Sequence, residues 1–527
     1  MLPAPIPKVD AMKTLCSFLT KFASLICWSL SCFDRVLFKG HLPISRPFQM
    51  EYFVDYVLKM RRSDFFKKTG PQWSQRLVEH AKGCARKFQR PFTRYQGKID
   101  KDAWAKEQQR LQPVKEGLIG ILCVMECCGT FKLAYGEGRP RIVSAQVPQR
   151  VLYYYFLDRD LGLMHVRLQT WAPFTCQIYV NGHDYVARQL LRRGLVFEQT
   201  DNAFTQLADP GQAQRLANRF AKLPWPKILE KYARQVNPLL RKELKDVQGL
   251  GHYWVIDQAE FATDLLFVSK QALAGLYLRL LEFAFLTFSP KKIFSYLGRA
   301  YHERFDGEAQ THYKSAREPG ACIKHFLKNN WLKMYDKLAL LLRVETVINQ
   351  PGDFKIFREC RHRDGSVSLG WYPMCKGVGN LPHYQSHALA SNYRYLEALA
   401  AVDDPTLGYH ELALLTEAQR QQGRSYAGFN PARAVEARLL AAVLAGDYIA
   451  QGFCNRDIRS VLHPALKSTK RQQSRNSAAV GRLLKRLHVR GMLAKIAHTR
   501  RWRVTEKGRR IIGDVLRTYR RYSTQAA

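Results

Sequence analysis

Asn455-Arg-Asp-Ile-Arg-Ser-Val-Leu462 and Asn476-Ser-Ala-Ala-Val-Gly-Arg-Leu-Leu-Lys-Arg-Leu-His-Val-Arg490 are the stretches on which the reading of this chain turns. The first opens on asparagine, a favoured N-cap, and places Asp457 in the first turn, where a carboxylate suits the helix dipole. The second repeats apolar side chains at Val480, Leu483, Leu484 and Leu487, the i, i+3, i+4, i+7 spacing of a helix with one buried face. Arg482, Lys485 and Arg486 fall off that stripe and are expected to face outward. A basic, polar turn running to Arg475 joins the two helices, and Gly491 ends the second. Met492 to Ile496, a polar turn through His498, Arg500 and Arg501, and Trp502 to Thr505 then read as a β-hairpin.

The order helix, turn, helix, two-stranded hairpin resembles a winged helix-turn-helix, which lays its second helix in the major groove with the hairpin beside it. From Lys467 to Arg521 there are 18 Lys and Arg against two acids, Glu506 and Asp514. A merely solvated helical face mixes signs, so this imbalance predicts contact with phosphate. Arg475, Arg482, Lys485, Arg486, Arg500 and Arg501 are the expected DNA-binding residues. Duplex DNA is the expected partner. Structured RNA, gripped through its backbone by the basic N-terminal half, is the alternative. A winged helix used only for protein contacts is the plain one.

Composition extends this to the whole chain. The formal charge of +39 over 527 residues concentrates polyanions near the surface and speeds their association. Hydrophobic residues make up 46%, enough for large cores. The twelve cysteines form no CxxC pair and no Cys/His set with zinc-finger spacing, so free thiols in a reducing cytoplasm are expected. Phe22 to Phe33 is apolar but too short to span a bilayer, and charged residues follow it, so it reads as a buried helix or strand with no membrane role. No G-x-G-x-x-G or P-loop appears, which argues against a nucleotide-driven motor.

The fold class expected is α+β, with mixed α/β lobes, a helical N-terminal region and the C-terminal winged helix-turn-helix. Residues 1–110 read as basic and mostly helical, with helical spacing over Glu51–Met60 and Trp73–Phe88. Residues 111–245 read as mixed α/β. Strands are expected at Val151–Phe156, Met164–Leu168 and Cys176–Val180, and a helix over Asp184–Arg193. Residues 246–380 read as α+β, with a buried helix over Gln271–Thr287 and strands at Leu332–Tyr335 and Leu341–Ile348. Residues 381–440 form a helical connector, and 441–527 the terminal domain.

Three motifs in the third segment bear on chemistry. Glu260 and Asp264 are four apart and share a face whether the segment is strand or helix, so they suit a divalent ion held through oxygen. Lys333, Tyr335 and Lys337 alternate, which puts a tyrosine between two ammonium groups facing a phosphodiester. Arg343 and Glu345 also alternate, and Glu345 is the expected third carboxylate. The plain readings are salt-bridge partners for the acids and a phosphate contact for the tyrosine. Asn181-Gly182 reads first as a turn signal, with His183 beside it.

The succession Glu260-Phe-Ala-Thr-Asp264, Tyr296-Leu-Gly-Arg299, Lys333-Met-Tyr-Asp-Lys337 and Leu342-Arg-Val-Glu345 resembles that of rolling-circle replication initiators of small plasmids and filamentous phages. The resemblance covers about ninety residues. It implies a mobile-element protein that nicks DNA through Tyr335, assisted by Lys333 and Lys337. Mg²⁺ or Mn²⁺ would be held by Glu260, Asp264 and Glu345. Glu260 stands where that family has an aspartate, and the chain has no His-hydrophobic-His pair. The whole chain also resembles bacterial proteins grouped as MarR-type regulators, which implies a non-catalytic transcriptional regulator.

Overall fold

The computed structural model describes residues 16–244, 252–288, 290–299, 309–314, 322–362, 364–403, 409–431, 433–445, 448, 452–464 and 469–525. The protein is α+β. It divides into two compact units, each discontinuous in sequence: Met1–Ser29, Ala262–Val347 and His387–Ala527 form the first, and Leu30–Phe261 with Ile348–Ser386 the second. The five consecutive segments read from the sequence are not the units of packing, because strands distant in sequence lie side by side.

In the second unit the strand order is β9-β1-β6-β5-β4-β3-β2. Its strands are β1 (Ile26–His41, in this unit from Leu30), β2 (Phe92–Tyr95), β3 (Gly117–Ala134), β4 (Arg141–Asp158), β5 (Gly162–Gln169), β6 (Cys176–Val180) and β9 (Tyr253–Phe267, to Phe261). Among the described residues up to 110 helix prevails, as expected, but β1 and β2 interrupt it. The apolar run near Phe22 becomes the start of β1, an interior strand antiparallel to β6 with Val36 opposite Val180. Neighbours from β6 through β5 and β4 to β3 are antiparallel, and β2 joins parallel.

One face of this sheet carries Val36, Phe38, Tyr154, Val166 and Ile178, all buried. It packs on helices α2 (Gly70–Lys87), α5 (Pro210–Phe220) and α6 (Trp225–Val236), with Phe38 4.8 Å from the Trp225 ring. The alternate residues of β1, β6 and β5 are mostly polar or aromatic, with Leu37 and Leu163 among them. Lys39, Gln177, Tyr179, His165 and Arg167 are half-buried and Arg35 is exposed. The period-2 burial of β5 and β6 follows directly from the alternation in sequence. Helices α1 (Pro47–Tyr52), α3 (Lys101–Leu111) and α4 (Gly182–Leu191) complete the unit, with the hairpins β7 (Phe197–Thr200)–β8 (Ala203–Leu207) and β14 (Lys355–Arg361)–β15 (Val367–Pro373).

In the first unit the order is β10-β11-β12-β13-β9, from β10 (Ala309–Lys314), β11 (Cys322–Leu327), β12 (Asn330–Lys337), β13 (Leu341–Ile348, to Val347) and the end of β9. The β10–β13 run is an antiparallel meander. Helix α7 (Lys270–Thr287) begins where the Ser269 hydroxyl accepts from the Ala272 amide at 3.1 Å. The expected helical connector over 381–440 contains the helices Leu381–Leu399 and Tyr409–Thr416, followed by the small hairpin β16 (Gln419–Gln421)–β17 (Arg424–Tyr426).

The chain ends in α8 (Ala434–Val443), α9 (Asn455–Leu462), α10 (Lys470–Val489), β18 (Leu493–Lys495), β19 (Trp502–Val504) and α11 (Glu506–Gln525). Phe453 and Trp502 exchange backbone hydrogen bonds of 2.8 and 2.7 Å, adding a third short strand segment to the β18–β19 hairpin. Val480, Leu484 and Leu487 are buried, as the stripe predicts, in a core shared with Leu439, Leu440, Ile511 and Ile512. That core also takes in Leu286 of α7, Leu415 and Phe429, so a boundary at residue 441 cuts through it. No helix among the described residues is long and apolar enough to cross a membrane.

Candidate nucleic-acid interface

Helix α10 starts at Lys470, six residues before the sequence pattern placed it. Thr469 is the N-cap, and its side chain accepts from the Gln472 amide at 3.3 Å. The Thr-x-x-Gln signal was present in the sequence. The longer helix adds Arg471 to the outer face. Arg471, Arg475, Ala478, Arg482 and Lys485 are exposed at i, i+4, i+7, i+11 and i+14, one continuous stripe of the helix. No acid occurs between Lys470 and Val489, and none of the four cations has a carboxylate partner among the described residues.

Asn455 is not the cap of α9. Cys454 holds that position, its amide bonded to the Asp457 carboxylate at 2.8 Å. The Asn455 amide instead ties α9 to α10, donating to the Ser477 carbonyl at 3.0 Å and accepting from the Ser477 hydroxyl at 3.1 Å. That bond fixes how the two helices cross. An open groove of about 550 Å³ lies at the start of α10, lined by Arg459, Lys470, Ser474 and Ser477.

Two of the six residues predicted to bind DNA are engaged by other parts of the chain. Arg486 pairs with Glu436 at 3.1 Å, donates to the carbonyls of Ala427 and Gly428, and lies 4.0 Å over the Phe429 ring. Arg501 is half-buried and donates to the Gly452 carbonyl at 2.9 Å. Arg486 falls off the apolar stripe and Arg501 sits in the hairpin turn, but other parts of the chain fold against both. Arg500 is exposed at the hairpin tip, and Arg503 on β19, which the sequence reading passed over, is exposed as well. Alternation with Trp502 and Val504 marked Arg503 as outward-facing.

In the first unit, β12 presents Lys333 and Tyr335 on one side as alternation predicts. The Tyr335 hydroxyl donates to the Glu345 carboxylate at 2.9 Å, and the Lys333 ammonium reaches the same carboxylate at 2.8 Å. Lys337 is half-buried two residues on. Asp264 does not serve as a metal ligand. Both its oxygens are taken by the fork of buried Arg343, at 2.6 and 2.7 Å. A carboxylate neutralised by a bidentate guanidinium has little left to offer a cation.

In the second unit, Glu260 finds a partner that the sequence reading missed. One carboxylate oxygen of Asp34 on β1 lies within 4.8 Å of one of Glu260. Asp34 follows the apolar run directly beside Arg35, so no local signal marked it. Asp34 is buried, accepts from the Asn202 amide, and has the His183 Nδ1 at 3.3 Å. Asn181 is a helix cap, as its turn signal suggested. Its side chain accepts from the amides of His183 (2.7 Å) and Asp184 (3.4 Å). Nearby, a cavity of about 230 Å³ is lined by Asp102, Tyr155, His165, Tyr179 and Asp184. Burial lowers the His165 imidazole to about 4 and raises the Asp184 carboxyl to about 6.

Comparison of the chain with protein-family models, curated proteins and solved structures finds no match.

Proposed function

We propose that this chain is a nucleic-acid-binding protein of mobile-element or replication-initiator type whose C-terminal segment grips duplex DNA as a winged helix-turn-helix. The exposed stripe Arg471, Arg475, Arg482, Lys485 on an acid-free helix carries this reading. The order α8, α9, α10, hairpin, with Phe453 as the third strand segment, supports it. In this reading α10 enters the major groove, and Arg500 and Arg503 on the hairpin meet flanking phosphates. Titrating the full chain against a labelled duplex at rising salt tests it. Binding indifferent to ionic strength would count against phosphate contact.

A second reading, DNA nicking, is favoured by one contact, the Tyr335 hydroxyl on Glu345 beside Lys333. Tyr335 would attack phosphorus and pass its proton to Glu345. The bond from phosphorus to the leaving sugar oxygen would break, and that oxygen would take up a proton. The Asp34–Glu260 pair is our candidate for a divalent ion, Mg²⁺ or Mn²⁺, since opposite oxygens on such an ion sit about 4–5 Å apart. Incubation with supercoiled DNA and Mn²⁺ should yield a covalent protein–DNA adduct that Tyr335→Phe abolishes. Without an adduct, the non-catalytic MarR-like regulator is the better description.

A further inference from the structure

Phe48, Tyr52 and Tyr56 are three large aromatic side chains turned out to solvent, at 62%, 62% and 66% exposure. They recur every fourth residue along α1 and the turn that continues it. That turn, Phe53–Val57, is a π-helix, with the Leu58 amide bonded to the Phe53 carbonyl at 2.9 Å. Its wide turn brings the rings of Tyr52 and Tyr56 to 5.1 Å, tilted by 33°. Single π-turns are uncommon and recur at functional sites. A second follows at Phe65–Thr69.

Between the two π-turns lies a cleft of about 520 Å³, lined by Lys59, Arg61, Arg62 and Arg139, with Asp55 its one acid. Arg62 neutralises that acid and Glu51, each at 2.7 Å, and also donates to the Pro140 carbonyl at 2.9 Å. The Glu51 carboxylate accepts from the Ile142 amide at 2.7 Å. The aromatic helix is thus pinned to the turn end of the β3–β4 hairpin. Lys59, Arg61 and Arg139 are exposed and have no carboxylate partner among the described residues. Lys59 holds a left-handed backbone, φ 49°, a conformation a lysine adopts only under constraint.

Exposed rings in a row beside unpaired cations match one ligand chemistry: unstacked bases on a phosphate chain. A duplex hides its base faces, and a membrane or an acidic peptide gives planar rings nothing to stack on. We propose that Phe48, Tyr52 and Tyr56, with Lys59, Arg61 and Arg139, form a binding platform for single-stranded nucleic acid, separate from the terminal domain. The proposal rests on the nucleic-acid reading above and gives it a second, strand-specific site.

The test measures full-length protein against three fluorescent probes: a 15-nucleotide single strand, an abasic strand of the same length, and a duplex. Tyr52→Leu/Tyr56→Leu keeps apolar bulk but loses the ring faces, and both sites are exposed enough that folding is unaffected. It should weaken single-strand binding at least tenfold and leave abasic and duplex binding unchanged. Tyr52→Phe/Tyr56→Phe should restore it. Lys59→Gln/Arg61→Gln should weaken both single strands. Single-strand affinity within twofold of the parent in the leucine variant overturns the proposal, as does an equal loss on the abasic strand. Sedimentation showing that the leucine variant dissociates an oligomer would reassign this face to contact between copies and overturn it too. Duplex binding without single-strand binding sinks this platform alone. Binding of no probe sinks the nucleic-acid reading with it.

Discussion

Replacing Arg482 and Lys485 together by glutamine should change how steeply duplex affinity depends on salt. In the proposed reading, six exposed cations meet phosphate: Arg471, Arg475, Arg482 and Lys485 on α10, with Arg500 and Arg503 on the hairpin. Each phosphate neutralised contributes about −0.9 to the slope of log K against log salt. All six engaged give a slope of about −5, so affinity falls about a thousandfold between 50 and 200 mM salt. The double variant should show about −3.5, with a correspondingly smaller loss over the same range. Fluorescence anisotropy on one duplex at five salt concentrations reads the slope directly. Arg486→Gln is the internal control. Its guanidinium holds Ala427, Gly428 and Glu436 in place, so its loss should lower the melting temperature and leave the slope near −5. A double variant with an unchanged slope, or an Arg486 variant that lowers it as much, would refute this assignment of the helix face.

The buried Asp264–Arg343 pair should behave as a unit. Removing one partner, as in Asp264→Leu, takes from the buried Arg343 guanidinium the carboxylate it grips at 2.6 and 2.7 Å and should cost about 3–5 kcal/mol in chemical denaturation, whereas Asp264→Leu/Arg343→Met should recover most of it. If the double variant is no more stable than the single, the pair is not the source of the loss. Asp184→Asn should stabilise the protein above neutral pH. Its carboxyl titrates near 6 when folded, so between the unfolded value near 3.8 and about 6 the folded state holds more protons. Stability therefore falls as pH rises through that window, with an upper limit of about 3 kcal/mol. Asparagine can still accept from Gln199, which now donates to Asp184 at 2.9 Å. The advantage of the variant should vanish below about pH 4 in thermal melts run across the range; an advantage independent of pH would show that desolvation of the charge is not its cause.

Local pattern carried much of the fold. The strands at 151–156, 164–168, 176–180 and 341–348 and the helix over 271–287 stand where alternation and apolar runs put them. So do the buried faces of Val480, Leu484 and Leu487. The misses share a cause: each depended on what another part of the chain brings. Arg486 and Arg501 look outward on a helical wheel or a turn, and only the arrival of Phe429 and Gly452 encloses them. Asp264 read as a metal ligand because no local signal says that Arg343 takes both its oxygens. Phe22 to Phe33 is buried at Phe22 and from Leu30 to Phe33 but exposed at Ala23, Ser24 and Cys27, and its place as an interior strand is set by partners far along the chain. Asp34 became legible only once β1 lay near Glu260.

The interleaving of the two units has a consequence for biosynthesis. The ribosome delivers β1 early, yet the strand cannot find Val180 or its other neighbours until most of the second unit has been made. The first unit waits longer still, since its core joins Leu286 to Leu439 and Ile511 near the end of translation. Pairing over such separations is slow and leaves apolar strand edges exposed in the nascent chain. The formal charge of +39 keeps unfinished copies apart by mutual repulsion. A chain truncated before its last helices would strip Ile511 and Ile512 from a cluster that also holds Leu286, Leu415 and Phe429, so a premature stop here costs more than the terminal domain it removes.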